Sequence, residues 1–172
     1  PMPKHGFCKE SEFEVIEQTE DSVTFLLKAN ENTLKFYPYN FELYLSYYLN
    51  GKNMCMDYRV VNKDSDLMYY HIGAHPGFML PVEDEETIEN CILKFENEED
   101  FVSYEYDLEN LEYNEDHIIT QKAEGATLPL TIPMFDQDAI FFEHTNSHRV
   151  SFLNKSTGKG VSMYYPDFES IA

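Results

Sequence analysis

The sequence predicts an all-β protein built as an antiparallel β-sandwich, and three observations lead to that fold class. Apolar residues alternate with mostly polar ones in "FELYLSYYL" (41–49) and again in "MCMDYRV" (54–60), which is the period of a strand with one buried face. Asn50-Gly51 follows the first run; this dipeptide favours a type I′ hairpin turn, whose two central residues both need positive φ. Strands do not alternate with helical patterns, which argues against a parallel sheet.

Strand-like composition recurs along the rest of the chain. The further candidate strands are residues 22–30, 67–75, 91–97, 117–123, 138–144, 149–155 and 160–166. Turn-forming residues at 62–66 ("NKDSD") and 156–160 ("STGKG") separate neighbouring candidates. We therefore expect one domain over residues 1–172, with no internal repeat and no linker.

Three acidic stretches interrupt this pattern, at residues 82–86, 96–100 and 112–116. None has the alternating ligand spacing and central glycine of an EF-hand calcium loop. We expect them to be solvated loops between strands.

Charge and cysteine content limit the binding partners and the cellular compartment that we expect for the protein. The chain has 32 acidic and 12 basic side chains and a formal net charge of −20, so it should repel nucleic acid and anionic membrane surfaces. Its three cysteines, Cys8, Cys55 and Cys91, are odd in number and widely spaced. That argues against a disulfide framework and predicts reduced thiols in a cytoplasmic protein. No apolar run approaches the ~18 residues of a membrane span.

The stretch "YHIGAHPGF" (70–78) carries two histidines four residues apart. Zinc ligation would need a helix to bring them together, but Gly73 and Pro76 disfavour one. In an extended chain the pair would lie about 13 Å apart, too far for one metal ion. If residues 67–75 form a strand, Pro76 ends its pairing, and the flanking glycines leave His75 beside open space where a ring-shaped ligand could approach.

The residues alone leave the role of His75 open between a structural strand-end histidine and a ligand-binding group. His5, in "KHGF", and Asp138, at the start of "DAIFFEH", are each weak signals. Together with 13 Tyr and 13 Phe, they suit a concave sheet that binds carbohydrate, because aromatic rings cover the apolar faces of a sugar while polar groups bond its hydroxyls.

A resemblance to a known family covers nearly the whole chain in order. "HIGAHPGF" resembles the "IGGHPAF" segment of aldose 1-epimerase-like proteins, the galactose mutarotase superfamily, and specifically its LacX-like branch. Four further segments are similar to the same branch: the N-terminal "KHGFCKESEFEVIEQTEDSVTF", the central hairpin at residues 37–66, "FDQDAIFF" and "NKSTGKGVSMYYPDF".

The resemblance implies a fold, a reaction and roles for four residues. The family fold is a large antiparallel β-supersandwich, and its members interconvert the α and β anomers of a hexose such as galactose or glucose without cofactor or metal. By motif, His75 is the general acid on the ring oxygen, a task for which an imidazole needs little pKa tuning. His5 would bond sugar hydroxyls and help polarise the ring oxygen, and Asp138 would bind hydroxyls.

Lys9 stands where the branch usually has arginine, and we assign it to substrate binding. A lysine keeps the positive charge but lacks the bidentate fork of arginine, which weakens the case for a phosphorylated sugar. His71 is interpreted as structural.

The family's catalytic base is a glutamate that follows the segment matched by "DFES", and a substrate-binding arginine precedes the segment matched by Pro1. No glutamate here matches that motif; Glu169 belongs to the preceding strand. The resemblance therefore implies the central portion of the family domain, with the base outside these residues. Two other classes stay open: a non-catalytic carbohydrate-binding protein on the same sandwich, and a structural β-domain without ligand.

The 172-residue chain by itself is expected to lack mutarotase activity, because the proton acceptor is missing. Polarimetry of freshly dissolved α-D-galactose or α-D-glucose would measure this, and the rate with the chain should equal the buffer control. Equilibration faster than in buffer would contradict the expectation.

Overall fold

A computed structural model describes residue 2 and residues 5–107, 112–136 and 139–172. The described residues form ten strands and four short 3₁₀ turns, and every strand pair is antiparallel. The prediction of an all-β antiparallel fold is confirmed. The chain divides into two compact units, Pro1–Ile72 and Gly73–Ala172, and the expectation of one domain over the whole chain stays a prediction.

The first unit contains one four-stranded meander, in the order β1-β2-β3-β4. Its strands are β1 (Glu14–Gln18), β2 (Ser22–Lys28), β3 (Phe41–Asn50) and β4 (Asn53–Asn62). Two 3₁₀ turns, Cys8–Glu10 and Thr33–Lys35, lie before β1 and between β2 and β3. Each strand therefore pairs with its neighbour along the chain, the connection that short turns produce.

The β3–β4 hairpin forms where the alternation predicted it, but its turn is shifted by one residue. Asn50 pairs with Asn53, so the two central residues are Gly51 and Lys52 rather than Asn50 and Gly51. Of these two, only Gly51 has a positive φ, of 62°. Glycine at the first central position is the pattern of a type II′ turn, so the type I′ prediction is wrong.

Pairing across the meander places apolar residues in rows on one face. Leu27 lies opposite Leu43, and Leu43 lies opposite Val60. Leu27, Leu43 and Phe41 are buried and form the centre of this unit's core. Residues outside the sheet cover that part of the face: Phe7, Cys8, Phe13, Ala29, Tyr37, Met68 and Ile72 pack against it.

The Asp64 carboxylate holds together the chain before β3 and the chain after β4, at the end of the hairpin opposite its turn. The backbone N–H of Asn40 donates to Asp64 Oδ2 at 2.7 Å, and the Asn40 side-chain amide donates to Asp64 Oδ1 at 2.6 Å. Asp64 N–H in turn donates to Asn62 Oδ1 at 2.9 Å. These bonds to the charged form hold the pKa of Asp64 below its usual value.

The second unit contains a four-stranded sheet, in the order β10-β9-β5-β8, and a two-stranded hairpin, β6-β7. The strands are β5 (Cys91–Phe95), β6 (Val102–Asp107), β7 (Glu112–Thr120), β8 (Thr127–Pro129), β9 (Arg149–Asn154) and β10 (Gly160–Tyr164). Its core is built on Phe95, Phe101 and Phe142, whose rings meet edge to face with centroids 5.2 to 6.0 Å apart. Edge-to-face packing places the positive edge of one ring against the negative face of another, and it also buries apolar area.

A buried amide anchors the first acidic stretch of this unit. Asn154 is buried; its side-chain N–H donates to Glu86 Oε2 at 2.6 Å, and its Oδ1 accepts from the backbone N–H groups of Ser156 and Thr157. One side chain therefore shapes the β9–β10 loop and fixes the 82–86 loop beside it. The loop assignments of residues 82–86 and 96–100 are confirmed.

Three predictions about secondary structure are wrong. Residues 67–75 are irregular rather than a strand, because no strand pairs with them in this part of the described chain. Residues 139–144 form only an isolated bridge, Phe142 with Ile171, although Ile140 and Phe142 do alternate into the core. The acidic residues 112–116 lie in β7 rather than in a loop, since hairpin pairing with β6 overrides their low strand propensity.

Among the described residues, none belongs to a helix that is long and apolar enough to cross a membrane.

The hydrogen bonds between Asn40 and the Asp64 carboxylate should make the free energy of unfolding depend on pH. The folded-state pKa of Asp64 is lowered, so the stabilisation from these bonds is complete above about pH 5. It is lost as the pH falls below about 4, through the folded-state pKa. We expect the urea midpoint of Asp64→Asn to fall less steeply than that of the wild type as the pH is lowered through this range.

Asp66→Asn is the matched control, because Asp66 lies in the same turn and offers its backbone oxygen, not its carboxylate, to Asn62. If the urea midpoints of the two variants fell equally steeply with decreasing pH, Asp64 would not be the group responsible.

Candidate functional site

The loop that carries His5 is held in an uncommon backbone conformation. His5 and Gly6 have φ of 65° and 72°, so two successive residues are left-handed, a region in which histidine is one of the enriched side chains. Phe7 follows and packs against the first unit's core. The Phe7 carbonyl accepts from Ser11 Oγ at 2.9 Å. The sharp turn at residues 5–6 therefore leaves His5 exposed while Phe7 anchors the loop.

Lys9 lies in the 3₁₀ turn after this loop and is half exposed. Its Nζ is 3.9 Å from Glu10 Oε1, a surface pair of the kind that contributes little to stability. A single ammonium group beside a carboxylate binds phosphate weakly, and a lysine lacks the guanidinium fork with which an arginine binds phosphate in a bidentate manner. Beside Lys9, burial raises the pKa of the Cys8 thiol, which favours the protonated form.

His75 lies in the irregular stretch and is exposed. A Cβ built on Gly73 or on Gly77 would meet nothing within 4 Å, and neither glycine has a left-handed φ. Neither glycine is therefore required there by close contact.

Residues 67, 69, 71, 73 and 75, which the strand prediction placed on one face, are exposed, but so are Tyr70 and Ala74. Met68 and Ile72 are the members of this segment that pack inward against the first unit's core. His71 is exposed between them. The segment is thus held by two apolar side chains four residues apart, rather than by a ladder of backbone hydrogen bonds.

Asp138 lies outside the described residues. On either side of it, Asp136 and Ala139 line a cavity of about 390 Å³ in the second unit, between the β6–β7 hairpin and the 3₁₀ turn Ile132–Phe135. Its polar lining includes Ser103, Gln121 and Thr131. Sequence reasoning missed these residues, since isolated hydroxyl and amide side chains carry no motif.

Within the described ranges, no three His, Cys, Asp or Glu side chains are grouped so that they could hold a metal ion. His5 and Lys9 lie in the first unit and His75 in the second. The catalytic and binding roles assigned to these residues and to Asp138 therefore stay predictions.

Sequence comparison identifies the family. The sequence pattern of the family described as aldose 1-epimerase matches residues 1–171. The chain is also 34% identical over 173 residues to the plasmid and chromosomal LacX proteins of Lactococcus lactis subsp. lactis, a match that covers 98% of this chain. The chain belongs to the aldose 1-epimerase family and is LacX-like. It spans 56% of the length of those LacX proteins.

Two solved structures share the fold. A galactose mutarotase related enzyme from Lactobacillus acidophilus is 28% identical and superposes with a TM-score of 0.73, over 89% of this chain and 50% of that protein. A galactose mutarotase-like protein from Lactobacillus casei is 23% identical, with a TM-score of 0.85 over 99% of this chain and 58% of that protein. The fold is therefore of the galactose mutarotase type, as the resemblance implied.

Gly77→Ala should be tolerated, because the added methyl meets open space and the backbone is not left-handed. We expect the free energy of unfolding to rise by up to about 1 kcal/mol, through lower entropy of the unfolded chain. Urea unfolding measures this. Gly125→Ala is the control: Gly125 has φ of 57°, so we expect a loss of about 1 kcal/mol there. Destabilisation by Gly77→Ala that matches the control would show that Gly77 is sterically required.

Proposed function

We propose that the protein is a mutarotase-type isomerase that interconverts the α and β anomers of a free hexose such as galactose or glucose. The observation that carries the proposal is the family match over residues 1–171, which includes the segment "HIGAHPGF". The Lactobacillus acidophilus protein named a galactose mutarotase related enzyme favours galactose as the first sugar to test.

The proposed reaction needs one proton given and one proton taken. His75 donates a proton to the ring oxygen while a base removes the proton of the anomeric hydroxyl. The bond between the anomeric carbon and the ring oxygen breaks, and an open-chain aldehyde forms. Rotation of the aldehyde and the reverse proton transfers close the ring on its other face. Positioned groups that titrate near neutral pH perform such transfers efficiently.

Exposure of His75 supports its assignment as the acid. A proton donor must reach the ring oxygen within hydrogen-bond distance, and an exposed side chain such as that of His75 is accessible to a sugar. His5 would bond sugar hydroxyls from the left-handed turn before Phe7, and Lys9 and Asp138 would bind hydroxyls. His5 is thereby the second catalytic candidate, through polarisation of the ring oxygen.

The charge distribution supports a neutral rather than a phosphorylated sugar. The formal net charge is −20, and Lys9 has Glu10 as its neighbour. The described lining of the 390 Å³ cavity includes Asp136 and no cationic side chain. A phosphate dianion would be repelled by such surroundings, whereas sugar hydroxyls would find hydroxyl, amide and carboxylate partners there.

A cytoplasmic location is part of the proposal. All three cysteines are free, as expected for a protein in a reducing compartment.

The test compares His75→Gln with wild type by polarimetry on freshly dissolved α-D-galactose. Because the known relatives are almost twice as long, the rate is measured on the natural polypeptide in which these residues occur. Glutamine retains hydrogen bonding but cannot donate the proton, so we expect kcat to fall about 10²- to 10⁴-fold, with KM within a few-fold.

His71→Gln is the matched control, an exposed histidine four residues earlier, and should retain wild-type kcat to within about twofold. If His75→Gln kept the wild-type kcat, His75 would not be the acid. Sugar binding by a wild-type protein that shows no rate above buffer would instead support the non-catalytic carbohydrate-binding class.

A further inference from the structure

One aromatic side chain connects the loop of His5 with the segment at residues 68–72. Tyr37 lies in the connection between β2 and β3, just after the 3₁₀ turn Thr33–Lys35. Its ring stacks on Phe7 with a centroid distance of 5.8 Å. It also meets Phe41 edge to face at 5.6 Å, and Phe7 meets Phe41 at 5.7 Å. The three rings therefore form a closed triangle at the start of β3.

This triangle determines where the His5 loop lies. Phe7 is two residues from His5, and the intervening Gly6 is left-handed. Close-packed rings resist displacement, because opening a gap of even 1 Å forfeits much of their dispersion energy. The position of His5 consequently depends on the ring of Tyr37 through Phe7.

The hydroxyl of Tyr37 makes a different connection. It donates to the backbone carbonyl of Tyr69 at 2.6 Å, across 32 residues of sequence. Tyr69 and Tyr70 have exposed side chains. This hydrogen bond lies between Met68 and Ile72, which pack on the core, and it ties an otherwise irregular segment to the connection between β2 and β3.

The surroundings of the hydroxyl favour its protonated form. Burial, with smaller contributions from the neighbouring phenols of Tyr39 and Tyr70, raises the pKa of Tyr37. It remains a donor, as an interaction with a carbonyl requires.

We propose that Tyr37 is a positioning residue for His5: its ring sets the His5 loop through Phe7, and the bond of its hydroxyl to Tyr69 fixes the orientation of that ring. A purely structural role needs only the ring, since phenylalanine would pack against Phe7 and Phe41 equally well. The hydroxyl is not needed for that packing, but its bond to the Tyr69 carbonyl holds the ring in one orientation. The inference rests on the proposed function only for its kinetic consequence.

The experiment removes the hydroxyl alone. In Tyr37→Phe we expect the imidazole NMR signals of His5 to shift or broaden, with kcat for α-D-galactose reduced about tenfold, since small misplacements of reacting groups cost rate steeply. KM should change less than twofold. Both measurements use the natural polypeptide.

Tyr39→Phe is the matched control. The ring of Tyr39 is tilted against that of Tyr37 with centroids 4.9 Å apart, and within the described residues its hydroxyl makes no hydrogen bond. Tyr39→Phe should leave kcat and the His5 signals unchanged. A second variant, Phe7→Leu, should displace the His5 signals and leave those of His71 in place, and it keeps the inference testable if Tyr37→Phe is too unstable to assay.

The possible outcomes separate this inference from the proposed function. Unchanged histidine signals and kcat in Tyr37→Phe, with an active wild type, would overturn the positioning role while leaving the function intact. Equal effects of Tyr37→Phe and Tyr39→Phe would also overturn it, because they would indicate general loosening. A wild type without mutarotase activity would defeat the proposed function, and the NMR comparison would still decide the role of Tyr37.

Discussion

The pairing of β3 with β4 is the constraint on which the first unit depends. Ten residue pairs run from Phe41 with Asn62 to Asn50 with Asn53. Because side chains alternate between the faces of a sheet, that register puts Leu43 and Val60 on the same face. The face needs a cover, and the cover comes from segments that have no regular structure of their own. The residues that precede β1 and follow β4 are therefore ordered by the hairpin.

Those ordered segments carry the candidate chemistry. His5 belongs to a tight left-handed turn whose next residue packs on the core, and the chain leading to His75 is held by Met68, Ile72 and one hydrogen bond to Tyr37. Loops fixed on a rigid sheet are a common arrangement for catalytic groups, because loops permit backbone conformations that strands exclude. Burial of apolar side chains supplies most of the stabilisation of these segments, and a few polar contacts fix where each segment lies.

Residue pattern predicted some parts of the fold well. Strand-like residue patterns located β2, β3, β4, β5, β9 and β10. They failed at residues 67–75, which have the composition of a strand but pair with no strand of the described chain, and at residues 112–116, whose charges suggested a loop although they lie in β7, which pairs with β6. Whether a segment forms a strand depends on a neighbour distant in sequence, which propensity does not record.

The sequence by itself determined the class of fold and the family, and it pointed to His5, His75, Lys9 and Asp138, because alternation, turn residues and local motifs are written in neighbouring residues. Only the tertiary structure decided that Gly51 and Lys52, rather than Asn50 and Gly51, form the hairpin turn, since register is set by packing along the whole of both strands. Only the tertiary structure brought the hydroxyl of Tyr37 to the carbonyl of Tyr69. A contact across 32 residues depends on how the core closes, which no local pattern can specify.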